Sequence, residues 1–243
     1  MKILKYTTPV EKILITGIYV MSMFLAVSCE DSDACEYIIC EESFNVVTDF
    51  EDQELGTTSD WQGVAARGIS IVSRGPGKVL QALDGSGSSF AYTETLLPRN
   101  FLTAGCELRY DVEYFGGVNN ATSAANSIII YQGSINSGNT RAVFVLNSSS
   151  LINSGQPPVT IHVPLELATG TTLPSNTYGE WRLAGLTPPY TATDINLFNT
   201  ILQNSDGLGF NLDSGGNPAE QWWYDNFTFK QCCSLTKDDG IIN

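Results

Sequence analysis

Apolar and polar residues alternate in short runs along most of the chain. The clearest run is residues 106–115, where four charged side chains occupy one set of alternate positions and five apolar or aromatic side chains the other. A period of two residues is typical of a β-strand that buries one face. Clusters of Gly, Asn, Ser and Pro separate the runs, as turns require. Similar runs predict further strands at residues 44–50, 68–73, 78–83, 88–93, 126–132, 141–147, 159–165, 178–183, 207–212 and 221–229.

One segment departs from this alternation. Apolar residues recur at helical spacing within residues 194–202, which predicts a single helix there. About ten short strands joined by turns favour an all-β fold, a jelly-roll β-sandwich of antiparallel strands. The polar segment 147–158 is interpreted as a long loop rather than a domain boundary. We therefore expect one domain at residues 44–233, followed by a tail at residues 234–243.

The first 28 residues have the composition of an export signal. Lys2, Lys5 and Lys12 precede an apolar stretch at residues 13–27, which is short for a membrane span of about 20 residues. Small residues precede Cys29 and resemble a lipobox, in which the cysteine becomes acylated after cleavage. An ordinary signal-peptidase site would cut the same bond. The sequence thus predicts removal of residues 1–28 and lipidation of Cys29, with simple secretion or an uncleaved anchor as alternatives.

The chain is strongly acidic, and its carboxylates are unevenly placed. The formal net charge is −14, and it becomes −16 after removal of residues 1–28, which contain three lysines and one glutamate. Eleven carboxylates and no Lys or Arg lie between Glu30 and Asp60. Because such a chain repels nucleic acid, DNA and RNA binding are excluded. Residues 29–43 are expected to form an acidic tether that resembles those of lipoproteins on the outer membrane surface; a secreted or periplasmic location is the alternative.

Six cysteines fit an exported protein. If Cys29 carries lipid, five remain, and Cys106 falls on the apolar face of its predicted strand, where it would be a buried free thiol. The other four, at both ends of the domain, are candidates for two disulfides whose pairing stays open. A zinc site is a weaker alternative, because the spacings and the single histidine do not suit it. The disulfide candidates are Cys35, Cys40, Cys232 and Cys233.

Short motifs at the two ends of the predicted domain resemble a known class of fold. Residues 49–52 (Asp-Phe-Glu-Asp), followed by Gly56 and Trp61, resemble the opening of β-sandwiches of the carbohydrate-binding-module type. Residues 223–229 resemble their closing strand, an ending that laminin-IV-type extracellular domains share. Both groups belong to the galactose-binding-like jelly-roll class. The resemblance implies a jelly roll and, as partner, a glycan or an extracellular protein.

The same resemblance implies a structural calcium ion that ties the first strand to the last. Glu51 and Asp225 match the usual ligand positions, and Asp52 is a possible third. Calcium takes several oxygen ligands, and carboxylates that converge would repel one another without a cation. Alternatively, Asp225 accepts hydrogen bonds from backbone N–H groups and Glu51 is solvated.

The last predicted strand offers candidate ligand residues. If its alternation is unbroken, Phe227 and Phe229 point inward and Trp222 and Tyr224 point outward. Outward aromatic rings beside polar groups are what a sugar-binding face needs. The alternative is that Trp222 and Tyr224 cover a second layer or a loop.

The sequence contains no recognisable arrangement of catalytic residues. The single histidine, His162, faces away from the apolar side of its predicted strand, and motifs of serine, zinc or thiol enzymes do not occur. Glycoside cleavage needs only two carboxylates, and Glu107, Asp111 and Glu113 share one strand face. We therefore expect a surface lipoprotein that binds a glycan without chemistry. A structural or adhesive protein-binding domain is the first alternative, and a glycan-cleaving enzyme the second.

Overall fold

The structure is a computed structural model that describes residues 43–85, 87–116, 127–136, 140–213 and 220–231. Backbone contacts divide the chain into Met1–Cys40 and Glu41–Asn243, and every described residue belongs to the second unit. The predicted signal and nearly all of the predicted tether therefore lie outside the described residues, as do the lipidation site and the disulfide candidates. These cysteines are Cys29, Cys35, Cys40, Cys232 and Cys233. Within the described residues, no helix has the length and apolar character needed to cross a membrane.

The described residues form strands that pair antiparallel throughout and two helices, α1 (Phe101–Ala104) and α2 (Ala192–Gln203). Each strand predicted from alternation is present, with ends that differ by a few residues, whereas β2 and α1 were not predicted. The strands are β1 (Phe44–Thr48), β2 (Trp61–Val64), β3 (Gly68–Arg74), β4 (Gly77–Leu83), β5 (Phe90–Thr93), β6 (Glu107–Phe115), β7 (Ile128–Tyr131), β8 (Arg141–Leu146), β9 (Val159–Pro164), β10 (Gly179–Leu183), β11 (Gly207–Asn211) and β12 (Gln221–Lys230).

Two sheets face each other and enclose the core. Sheet I has the order β3-β4-β12-β6-β9, with β1 also paired to β12, and sheet II has the order β10-β8-β7-β11-β5-β2. Along β6, Leu108, Tyr110, Val112 and Tyr114 are buried, as the alternation predicts. Their rings and methyl groups are removed from water against sheet II, which is the main stabilising contribution in such a sandwich. The prediction of an all-β jelly-roll sandwich is confirmed.

Helix α2 packs against the sandwich through the apolar stripe that the sequence predicts. Thr191 and Asp194 form a capping box, in which the Thr191 Oγ1 accepts a hydrogen bond from the Asp194 N–H and the Asp194 carboxylate accepts one from the Thr191 N–H. The cap fixes where the helix begins. The buried stripe consists of Ile195, Phe198, Ile201 and Leu202.

Strand β12 contains a bulge that reverses its alternation. Asp225 pairs with Asp111 of β6, but the next paired residue of β12 is Thr228, so β12 has one extra residue there. Asn226, within the bulge, has a φ of 52°, a conformation that Asn tolerates better than most residues. Before the bulge the even-numbered side chains point inward, and after it the odd-numbered ones do. Trp222, Tyr224, Phe227 and Phe229 are consequently all buried.

Cys106 differs from its predicted state. It is half-buried and disulfide-bonded, with a partner outside the described residues, so the prediction of a free buried thiol is wrong. Its backbone N–H donates to the Lys230 carbonyl at 3.0 Å, at the end of β12. The alternation of β6 places Cys106 in line with Leu108, but Cys106 precedes the strand. It lies beside the end of β12 rather than in the interior.

Candidate ligand-binding groove

The register of sheet II lines up side chains across its outer face. In each strand the inward positions build the core, and the alternate positions face outward. Gly209 of β11 is opposite Tyr92 of β5 on one side and Ile129 of β7 on the other. Ile129 is opposite Val143 of β8, which is opposite Arg182 of β10. A row of outward positions therefore crosses the sheet although its residues are far apart in the sequence.

A groove of about 390 Å³ lies on this outer face. We call it the sheet II groove. Its volume is within the range of small-molecule sites, which is about 300–1,000 Å³. Its floor is apolar and its sides carry hydroxyl, amide and guanidinium groups. The lining residues are Ser88, Phe90, Ser127, Ile129, Arg141, Val143, Val145, Arg182 and Asn211.

Ile135 covers the neighbouring part of the same face. It is buried and forms a second apolar cluster with Phe90, Ile129 and Tyr131 on the outer side of sheet II. A Cβ atom at Gly209 would lie 2.3 Å from the Ile135 Cδ1, so only glycine leaves room for this contact. The glycine thus allows the segment after β7 to lie across the sheet and to bound the groove on that side.

Arg141 brings a poorly compensated positive charge to the groove. Its Nη1 donates to the Ile135 carbonyl at 3.0 Å, while its Nε is buried without a hydrogen-bond partner. In the part of the chain that the structure describes, no carboxylate lies within 4.0 Å of this guanidinium. Burial lowers the pKa of Arg141, because its charge is partly removed from water. Arg182 is exposed and paired with the Glu180 carboxylate.

The ligand residues predicted from β12 do not lie on any outer face. Trp222 is fully buried, donates from Nε1 to the Leu212 carbonyl at 2.8 Å, and packs 4.4 Å from the Tyr114 ring. Tyr224 is also fully buried and stacks on Phe210. The prediction that Trp222 and Tyr224 face outward is therefore wrong, because it extended the alternation through the bulge.

The neighbouring Trp223 is the aromatic residue of this strand that faces outward, on sheet I. Its ring lies between the Arg74 guanidinium, 5.5 Å from the ring centroid, and the Phe115 ring at 4.8 Å. Arg74 also forms an ion pair with Glu113, which is nearly buried. These neighbours cover much of the ring, so Trp223 is a packed part of the sheet I surface rather than an open stacking plane.

The structure brings together only part of the predicted calcium site. The pKa of Asp225 is raised to about 6, mainly by burial and in part by the charges of Asp111, Glu51 and Asp49, against a hydrogen bond from the Asn226 N–H that lowers it. The charge of Glu51 thus acts on Asp225, but among the described residues these carboxylates are not part of a group of three with oxygens within 4.8 Å of one another. The Glu51 carboxylate also accepts a hydrogen bond from the Lys78 N–H at 2.8 Å. Asp52 is exposed and is not among the charges that act on Asp225.

A second carboxylate group has ligand geometry that the sequence did not indicate. Oxygens of Asp84, Asp213 and Glu220 all lie within 4.8 Å of one another, the one such group of three within the described residues. The Ser89 hydroxyl donates to Asp84, and the Asp84 N–H donates to the Glu220 carbonyl at 2.9 Å. Asp84 is far along the chain from Asp213 and Glu220, so no local spacing could reveal the group of three. Oxygen ligands of this kind suit calcium.

The remaining residues singled out from the sequence lie on the outer face of sheet I. Glu107, Asp111 and Glu113 follow one face of β6, as predicted, and none of them lines the sheet II groove. His162 stacks on Tyr178 at 4.7 Å, and its Nδ1 is 3.1 Å from the Glu107 carboxylate. Glu107 also pairs with Arg109 and Glu113 pairs with Arg74, while Asp111 accepts hydrogen bonds from Thr160 and Asn226.

Neither a protein-family model nor a curated protein matches the sequence. Solved structures do resemble the chain. A family 11 carbohydrate-binding module from Clostridium thermocellum, in complex with a β-1,3-1,4-mixed-linked tetrasaccharide, is 16% identical, with 76% of this chain and 94% of that chain covered and a TM-score of 0.45.

Two further solved structures also resemble the chain. The L4b domain of human laminin α-2 is 15% identical, with 72% of this chain and 98% of that chain covered and a TM-score of 0.43. An exo-β-agarase is 14% identical, with 78% of this chain but 25% of that chain covered and a TM-score of 0.49. At these identities the likeness is one of fold alone.

Proposed function

We propose that the domain binds a glycan in the sheet II groove without chemical conversion. The observation that carries the proposal is the groove lining, an apolar floor bounded by hydrogen-bonding groups. Val143 and Val145, which are half-buried in the lining, offer carbon surface for the C–H faces of a sugar ring, whereas Phe90 and Ile129 of the same lining are buried and offer little. Arg141 and Asn211 offer donors and acceptors for its hydroxyl groups. Both charged side chains in the lining are arginines, so the groove does not present the carboxylate pair of a glycosidase.

The groove suits a sugar chain better than a single ring. Its lining comes from β5, β11, β7, β8 and β10, which are consecutive neighbours in sheet II. Four spacings of about 4.8 Å between adjacent strands give a length of about 19 Å. We therefore expect oligosaccharides to bind more tightly than monosaccharides of the same kind.

A glycan array tests the proposal. The purified protein is applied with calcium and again with chelator, and hits are measured by calorimetry. Val143→Gln places a longer side chain on the groove floor and is expected to weaken binding at least about 10-fold. Val72→Gln is the matched control, because Val72 is half-buried on β3 outside this lining. A folded protein that binds no glycan, or equal affinities for both variants, would contradict the proposal.

A structural or adhesive protein-binding role is the second candidate. It is favoured by β1, where Phe44 and Val46 are 42% and 63% exposed and lie on the same face of the strand. Arg109 covers part of the Phe44 ring at 4.5 Å. If this strand mediates association, Val46→Lys should abolish concentration-dependent sedimentation of the protein. If the native protein sediments as a monomer at every concentration, the exposed face of β1 does not mediate self-association and no longer supports this role.

We also propose that residues 1–28 are removed and that Cys29 carries lipid, which would display the groove at the outer membrane surface. The basic residues, the apolar stretch and the small residues before Cys29 support this proposal. Fatty-acid labelling of the native chain and of Cys29→Ser tests it. Label on neither protein would favour secretion or an uncleaved anchor, and label on both would place the lipid on a residue other than Cys29. Protease treatment of intact cells distinguishes the surface from the periplasm.

Calcium remains a proposed structural ligand, with two candidate sites. The convergence of Glu51 with Asp225 supports the site expected from the sequence, and the Asp84 group supports another. The melting temperature of the protein is measured with calcium and with chelator. If Asp225→Ala removes the calcium response and Asp84→Asn keeps it, the first site holds the ion. The reverse result assigns the ion to the Asp84 group, and no response in the native protein excludes both.

A further inference from the structure

We infer that the glycan bound by the sheet II groove is anionic, with its acidic groups placed against Arg141 and Arg182. This inference rests on the proposed glycan-binding function and specifies its ligand class. Carboxylates outnumber basic residues in the chain, 26 to 12, yet both charged side chains in the groove lining are basic. The groove is thus a local exception to the charge of the molecule.

Arg141 carries most of the argument. Its guanidinium is partly withdrawn from water, its Nε has no partner, and its one hydrogen bond reaches a neutral carbonyl. A partly buried charge without a counter-charge is unfavourable, and a ligand carboxylate would compensate it through strong, charge-assisted hydrogen bonds. A neutral sugar hydroxyl would leave that charge uncompensated.

Two carboxylates act on Tyr131, the residue opposite Arg141 in β7, but both have other partners. Glu94 accepts a hydrogen bond from the Tyr131 hydroxyl, and Asp206 accepts one from the Gly133 N–H and pairs with Arg99. The internal segments outside the described residues, 117–126, 137–139 and 214–219, contain no Asp or Glu. Asp213 follows Asn211, the last residue of β11. Arg141 of β8 is opposite Tyr131 of β7, and Tyr131 is opposite Gly207, the first residue of β11. Gly207 and Asn211 are about 13 Å apart along the strand. Asp213, and with it the Asp84 carboxylate group, therefore lies away from Arg141 and outside the groove lining.

Arg182 provides a second, weaker position. Its Nε donates to the Glu180 carboxylate at 2.7 Å, so its charge is partly neutralised. Both side chains are exposed on β10, where water screens their attraction. A ligand anion could share Arg182 with Glu180, and removal of Glu180 should make Arg182 a better anion partner.

The overall negative charge of the protein does not oppose this inference strongly. Eleven of its carboxylates lie between Glu30 and Asp60. At physiological ionic strength charges more than about 8 Å apart are largely screened, so only carboxylates within that distance would act strongly on an anion at Arg141.

The test uses three soluble polymers and four proteins. The polymers are polygalacturonate, the same polymer with its carboxylates methyl-esterified, and neutral mixed-linkage β-glucan. The proteins are the native chain, Arg141→Gln, Glu180→Gln and Arg99→Gln. Arg99 is the matched control, because its side chain is 78% exposed and lies outside the groove lining. Calorimetry gives the affinities, and melting temperatures confirm that each variant is folded.

We expect polygalacturonate to bind at least 10-fold more tightly than its methyl ester. Arg141→Gln should remove that preference, Glu180→Gln should increase affinity about 2- to 5-fold, and Arg99→Gln should change nothing. Dextran sulfate as competitor shows whether the acidic group can be a sulfate as well as a carboxylate. Equal displacement by polyglutamate would overturn a saccharide ligand.

Failure of this inference is distinguishable from failure of the proposed function. Equal binding of the ester or the β-glucan, unaffected by Arg141→Gln, would overturn the anionic ligand and keep a glycan-binding groove. Absence of binding to every saccharide by folded protein would overturn both.

Discussion

Replacement of Trp222 should damage this protein far more than replacement of its neighbour Trp223. The two residues are identical in type and adjacent in β12, but the bulge at Asn226 fixes which of them points inward. Trp222 is fully buried, and its indole N–H donates to the Leu212 carbonyl. Trp223 is half-buried on the outer face, against Phe115 and Arg74.

The contacts of each ring set the expected loss in the free energy of unfolding when that tryptophan is replaced. Trp222→Ala removes a large buried ring beside Tyr114 and leaves the Leu212 carbonyl without its donor, a change of about 4 kcal/mol. Trp223→Ala loses one ring contact and one cation–π contact at the surface, about 1 kcal/mol. Trp222→Phe keeps most of the ring and should lie between the two.

Urea unfolding followed by circular dichroism measures the difference. With a slope of about 2.5 kcal/mol/M, Trp222→Ala should lower the midpoint by about 1.6 M and Trp223→Ala by about 0.4 M. If Trp222→Ala does not fold, Trp222→Phe against Trp223→Phe gives the same comparison. Equal shifts, or a larger shift for Trp223, would refute the inward direction of Trp222 and with it the bulge.

Three further predictions concern the acidic surface, the covered part of sheet II and the disulfide. Because the pKa of Asp225 is raised to about 6, the folded state holds this proton more tightly than the unfolded state, so stability falls as pH rises from about 4 to 6. After allowance for solvent screening the loss is about 1 kcal/mol; Asp225→Asn should remove it in urea titrations with chelator at pH 4.5 and 7.5, and Glu166→Gln should not. Gly209→Ala should cost about 1–3 kcal/mol by displacing Ile135, and calorimetry should show altered glycan affinity. Reduction, or Cys106→Ser, should lower stability by about 2–4 kcal/mol, and a melting temperature unchanged by reductant would contradict this.

The elements predicted best from the sequence are those whose pattern is local. Strand β6 and helix α2 each carry a complete period of buried side chains, so their apolar residues alone indicate which face enters the core. Strand β2 was missed because it has four residues, one of them glycine, and shows too little alternation. The bulge was missed because one extra residue has no signature in hydrophobicity; Asn226, with its tolerance of positive φ, is the only hint in the sequence.

The groove could not be predicted from the sequence, for a different reason. Its lining depends on which residue of one strand is opposite which residue of the next, and pairing register is not visible in any single strand. Phe90, Ile129 and Arg182 come from strands far apart along the chain. The aromatic residues of β12 gave a stronger local signal, and they belong to the core. A search for exposed aromatics therefore pointed to β12 of sheet I, whereas the groove lies on sheet II.

The separation of inner and outer positions in sheet II has a consequence for how this protein can change. Inward residues such as Phe144 and Phe210 hold the sandwich together, and the outward residues between them, such as Val143 and Asn211, line the groove. Substitutions at the outward positions that remain open to solvent change the groove lining and leave the packing between the sheets intact. Evolution, or an engineer, can therefore vary the groove at these positions in small steps without first accumulating stabilising mutations elsewhere.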